Sequence, residues 1–369
     1  MASHNAIMLS FSTFSLIAVG AVVTLALIGG IFYTSLRSGW MKHGYFTIPS
    51  VILIVVVLFI MFQGLGSGIT LSVMGAHFEN HPIAALSING LAEIAVLLVG
   101  AVLISRAIKQ NPFAVFRLEG FWETPPTAYI LAIPIMLLAQ MGGSVISVLA
   151  EHIWKFFPTI YQPLNSYETA GDSAIQSLVT AHGPMDLLLI FLFVAIVPAF
   201  SEETLFRGFA QTNIERSGSK HTRPFVALVL ASILFAAMHA SVFKFPGLLV
   251  LGLTLGWLTY RTNNLFTGAL AHALNNGFIV AVLYLNPDQL SSKTASSLMG
   301  TEEISGSDAL IMLLFASVGL TLFLLLFHRI TTPLQARGNA EREFETRLTQ
   351  GNNSFDDHTI NEYPSDHYE

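Results

Sequence analysis

From residue 7 to residue 328 the chain is a succession of apolar runs, most about as long as a lipid bilayer is thick, separated by short polar connections. No feature constrains its folding more. A run such as "VILIVVVLFIMF" leaves no polar residue to face water, and backbone crossing hydrocarbon must satisfy its own hydrogen bonds. Composition agrees: 53% of the 369 residues are hydrophobic, 11% are charged, and mean hydropathy is +0.63. Ordinary soluble domains carry about a quarter charged residues. The expected fold is an all-α, polytopic transmembrane helical bundle.

Nine segments fit as spans: 7–33, 48–74, 83–105, 128–150, 186–211, 224–241, 246–260, 265–285 and 309–328. The seventh is the shortest, and a count of eight omits it. Loop charges arbitrate. Arg37 and Lys42 follow the first span, Arg106, Lys109 and Arg117 the third, and Arg216, Lys220 and Arg223 the fifth. Arg261 follows the seventh, and four arginines between 329 and 347 follow the ninth. The intervening loops are poor in Lys and Arg. Nine spans preserve this alternation, with an outside N-terminus and a cytoplasmic C-terminus. The N-terminal run has no basic flank and exceeds a signal-peptide core, so it reads as a retained span of an inner-membrane protein. The chain divides into N-terminal helices and a cytoplasmic loop (1–127), a membrane core (128–285) and a loop with the last helix (286–334). A polar tail (335–369) is expected to be disordered, with "EREFETRLTQ" able to form a short helix. Gly64 and Gly68 form a GxxxG pattern that suggests close helix packing.

Zero cysteines exclude disulfides, thiolate metal sites and a cysteine nucleophile. The net charge of -6 and the absence of a basic face exclude nucleic acid as an expected partner. The expected partners are the bilayer and a membrane protein or peptide; the sequence leaves the oligomeric state open.

Three polar clusters interrupt the apolar helices. In "VPAFSEETLFRG", Glu203 and Arg207 lie four apart on one helical face and can pair, which lowers the cost of burying both. Glu202 points about 100° away without a local partner, as a general base would. Pro198, four residues earlier, removes one backbone hydrogen bond beside the site. "LFAAMHASVF" places Phe235 and His239 on one face. "GALAHALNNGF" does the same for His272 and Asn276, with Asn275 turned away. Bland readings exist for each: snorkelling helix-end charges, a packing histidine, interhelical hydrogen bonds. Measured from the cytoplasmic ends at 1.5 Å per residue, Glu202, His239, Asn276 and His272 fall at depths of about 15, 22, 16 and 10 Å, near one layer. Glu93 is a further buried acid, weighed as a pairing residue before a catalytic one.

Taken in order, Glu202-Glu203-x-x-x-Arg207, Phe235-x-x-x-His239 and His272-x-x-x-Asn276 resemble the three motifs of the CPBP family. These are the CAAX-protease and bacteriocin-processing (Abi) intramembrane endopeptidases. The resemblance covers about 186–285. It implies a helical membrane fold with a conical cavity open toward the cytoplasm and the bilayer, and cleavage of a peptide bond near the membrane surface. In agreement with residue chemistry, it implies that Glu202 activates water and His239 orients it. His272 and Asn276 then stabilise the oxyanion, Glu203 and Arg207 fix the helix, and Phe235 excludes bulk water. No cofactor is required by this scheme; the alternative is Zn²⁺ held by Glu202, His239 and His272. The competing functions are an ion- or proton-coupled transporter, disfavoured by the lack of paired broken repeats, and a non-catalytic scaffold of the same fold.

Overall fold

The computed structural model describes residues 39–42, 44–74, 81–179, 183–217, 223–285 and 306–349. The expected first span, 7–33, and the end of the tail lie outside the described residues. A two-stranded antiparallel hairpin, β1 (Met41–Lys42) and β2 (Tyr45–Phe46), precedes the helices and pairs Met41 with Phe46. The helices are α1 (Ile48–Met74), α2 (Pro82–Ala107), α3 (Pro126–Trp154) and α4 (Pro158–Leu178). They continue with α5 (Pro184–Ser217), α6 (Arg223–Met238), α7 (Phe245–Thr262), α8 (Leu265–Leu285) and α9 (Gly306–Thr349). Each of the eight expected spans within the described residues carries a helix. Among the described residues, six helices are long and apolar enough to cross a membrane. α6 is a shorter apolar helix, and α7 runs for 18 residues. The fold is an all-α polytopic membrane bundle.

Three expectations are corrected. The loop 151–185 contains α4, a 21-residue amphipathic helix. Its polar residues lower its hydropathy below that of a span, while Tyr161, Leu164 and Glu168 share an inward face. The polar stretch to Thr349 continues the last span as one 44-residue helix, about 66 Å long at 1.5 Å per residue. The boundary at 334/335 is therefore no break in helix, and the helix takes in most of "EREFETRLTQ", the stretch expected to be able to form one. Finally, the Gly64 and Gly68 pair packs on nothing within the described residues; Gly66 instead abuts Asn89.

α3 is the central helix and packs against α7, α8 and α9. Its closest approach is to α7, where Gly143 faces Gly247: a Cβ on Gly247 would collide with the Gly143 carbonyl and Ser147 Oγ. The core continues through Phe206, Phe209, Leu255 and Phe235. At the end rich in basic residues, Arg117 is buried rather than solvated. It pairs with Glu215 at 2.6 Å and donates to Asn263 Oδ1, tying the loop after α2 to α5 and to the α7–α8 turn. Leu310, Leu314, Val318 and Leu322 of α9 face outward, as a lipid-facing surface requires.

Candidate functional site

α5 is irregular where it carries chemistry. Wide π-helical turns at Phe191–Ile196 and Thr204–Gln211 flank the short α-helical stretch Val197–Glu203. Such turns recur at functional sites. Pro198 contributes: without an N–H it cannot donate to the carbonyl of Val194. That carbonyl accepts from Asn276 Nδ2 of α8 instead, at 3.2 Å. This bond ties one motif residue of α8 to the irregular part of α5.

The two glutamates differ as their spacing suggests. Glu203 is fully buried, and its Oε1 lies 2.9 Å from Arg207 Nη1. The same oxygen accepts from His272 Nδ1 at 3.1 Å. Arg207 Nη2 also donates to the Gly252 carbonyl of α7 at 3.0 Å, and its guanidinium lies 4.5 Å from the Phe235 ring centroid. Gly268 leaves room for this group, since a Cβ there would press on Thr259 and Glu203. Glu202 is half-buried, and its Oε2 is a buried oxygen without a hydrogen-bond partner.

A cavity of about 590 Å³ brings Glu202, Phe235, His239, His272 and Asn276 together, from α5, α6 and α8. Glu203 and Arg207 stand behind it. Phe235 packs edge-on against both histidines, 4.9 Å from His239 and 5.8 Å from His272 by ring centroids. His239 Nδ1 donates to the Phe235 carbonyl at 2.9 Å, leaving Nε2 as the free lone pair of the neutral ring. His239 lies just past the end of α6, at the exposed rim of the cavity rather than at mid-span. The cavity extends to α4 and to Lys244, the end that the charge pattern assigns to the outside. The family resemblance implied a cytoplasmic opening, so these two sequence expectations assign opposite ends.

Several lining residues escaped sequence reasoning. Asn275, expected to turn away, is buried at the cavity and donates to Gln140 Oε1 at 3.3 Å, with its own Oδ1 unpartnered. Gln140, Ser144 and Ser147 line α3 at helical spacing; only that i, i+4, i+7 pattern in "QMGGSVIS" hinted at them. Glu93 is buried within electrostatic reach of Glu202, and its Oε1 has no hydrogen-bond partner. It stands where α2 enters its own wide turn, Ile94–Leu98.

Glu202, His239 and His272, the alternative zinc set, all line the cavity. Among the described residues no three His, Asp or Glu side chains form a group able to hold a metal ion. His272 directs Nδ1 to Glu203, which leaves Nε2 as its nitrogen toward the cavity.

Fold and site together define a multi-pass membrane protein whose bundle encloses a cavity lined by carboxylate and imidazole side chains. The family described as type II CAAX prenyl endopeptidase, Rce1-like, matches residues 184–278, about a quarter of the chain and all three motifs. This is the CPBP/CAAX-protease family that the motifs resemble. No curated protein and no solved structure matches the chain.

Proposed function

We propose that this protein is an intramembrane endopeptidase that hydrolyses a peptide bond of a membrane-associated substrate with a glutamate-activated water. The observation that carries the reading is the convergence of Glu202, His239, His272 and Asn276 on one cavity. The family match over the same helices supports it.

A water held between Glu202 and His239 finds two acceptors, the carboxylate and the Nε2 lone pair. Both its hydrogens are then engaged, and an oxygen lone pair is left for the substrate carbonyl carbon. As the C–O bond forms, Glu202 takes the proton. Asn276 spends one Nδ2–H on Val194 and keeps the other for the developing oxyanion. His272 gives Nδ1 to Glu203, which holds its ring so that Nε2 is presented to the oxyanion as a donor when the ring is protonated. Collapse of the intermediate returns the proton from Glu202 to the leaving amine. Met136, Leu248, Leu251, Ile279, Val280 and Leu283 give the cavity an apolar wall suited to a lipidated or hydrophobic segment.

The test uses protein in liposomes and two quenched peptides, one ending in a farnesylated Cys-aliphatic-aliphatic-X sequence and one an unmodified apolar peptide. Cleavage of the farnesylated peptide, surviving exhaustive chelation, is expected. Cleavage of the unmodified peptide alone would remove the prenyl preference and keep the peptidase. Loss on chelation restored by zinc would replace the metal-free mechanism, and no cleavage of either would overturn the reading. Asn276→Ala is expected to lower kcat by about 10²–10³ with a small change in KM, as removal of an oxyanion donor does. An unchanged kcat would remove Asn276 from that role.

A further inference from the structure

Glu168 belongs to α4, outside the stretch that matches the family. Its carboxylate is saturated by donors from one place. Oε2 accepts from Ser241 Oγ at 2.6 Å; Oε1 accepts from the backbone N–H of Val242 at 2.7 Å and of Phe243 at 3.2 Å. All three donors sit in the turn between α6 and α7. Ser241 Oγ closes that turn by accepting from the Lys244 N–H at 3.0 Å. Four residues along α4, Asp172 pairs with Lys244 Nζ at 2.5 Å. The Tyr161 ring, on the same face of α4, stacks 5.4 Å from Phe243.

His239 is the last residue before this turn becomes irregular. α6 ends at Met238, and the N–H groups of His239 and Ala240 already reach back only three residues, to Ala236 and Ala237. Ala240 is left-handed at φ 51°, a conformation that costs a non-glycine residue of order 1 kcal/mol. The ring of His239 is tethered to Phe235, but nothing further along α6 holds the backbone that carries it. The N–H groups beyond it are held by Glu168.

We infer that Glu168 is a positioning residue for His239: by clamping the 241–243 turn it fixes where His239 Nε2 stands in the cavity. The inference rests on the reading of His239 as the group that orients the water. Displacing such a group by about 1 Å costs on the order of 10² in rate without altering substrate affinity. A helix that merely covered the cavity would act on substrate access and hence on KM.

The experiment compares wild type, Glu168→Ala, Glu168→Gln, His239→Ala and the Glu168→Ala/His239→Ala double variant in liposomes. Two readouts need no substrate: amide exchange of Val242 and Phe243, and the rate at which diethyl pyrocarbonate modifies His239, located by peptide mapping. The third is kcat and KM on the two quenched peptides. Glu168→Ala is expected to speed exchange at both amides, to raise the His239 modification rate several-fold, and to lower kcat by about 10- to 100-fold at unchanged KM. Glu168→Gln, which keeps an oxygen for the two N–H groups, restores most of that loss. The double variant is no slower than His239→Ala.

An unchanged modification rate overturns the inference, as does a raised KM at unchanged kcat. A further loss of activity in the double variant also overturns it. If Glu168→Ala does not fold, Ser241→Ala is judged by the same criteria. If wild type cleaves neither peptide, or His239→Ala is fully active, the peptidase reading fails. Exchange and modification still decide whether Glu168 governs His239.

Discussion

Glu202→Gln should reduce cleavage of the farnesylated peptide by at least about 10³-fold, near the full contribution of a general base. The change is isosteric, and Glu202 Oε2 makes no hydrogen bond that it would break. An amide cannot take the proton of the attacking water. The fold should not suffer, because Glu202 is half-buried and the amide keeps the shape of the carboxylate. The melting temperature in detergent should therefore stay within about 2 °C of wild type. Activity and melting temperature must be measured on the same preparation. A folded Glu202→Gln protein with full activity would require the roles of Glu202 and Glu203 to be exchanged or dropped.

What the sequence discloses depends on how local the physics is. Spans are legible because lipid demands long apolar runs, and each run satisfies its own backbone. The pairing of Glu203 with Arg207 is legible because four residues make one helical turn. His272 on Glu203 joins positions 69 residues apart, and no local rule states that contact. Asn276 on Val194 is an intermediate case. Pro198 announces that a carbonyl is left over, but only the fold supplies the donor. α4 was missed because its inward face is held by Glu168 and Asp172, so the residues that dock it raise the polarity that made it look like a loop. Asn275 was misjudged because two neighbouring residues of one helix can both line a wide cavity contacted from α3 and α5.

The largest effect on stability is expected at Glu203→Gln. Glu203 and Arg207 have side-chain exposures of 0% and 1%, so neither charge is solvated. Removing the carboxylate leaves the guanidinium with the Gly252 carbonyl and the Phe235 ring, neither of which balances its charge. Breaking a buried pair in this way costs about 3–5 kcal/mol. Arg207→Met should cost a similar amount by stranding the carboxylate beside His272. The double variant Glu203→Gln/Arg207→Met buries no charge at this place and should recover much of the stability. It should not recover activity. His272 would then lack the carboxylate that accepts from Nδ1 and fixes its ring, and Nε2 would no longer be held toward the oxyanion. Unfolding in detergent and kcat on the farnesylated peptide, followed through the same double-mutant cycle, separate the two roles. Coupling in both stability and kcat would assign Glu203 to the fold alone. Coupling in stability with an unrecovered kcat makes the carboxylate both the counter-ion that lets an arginine live inside the bundle and the group that orients His272.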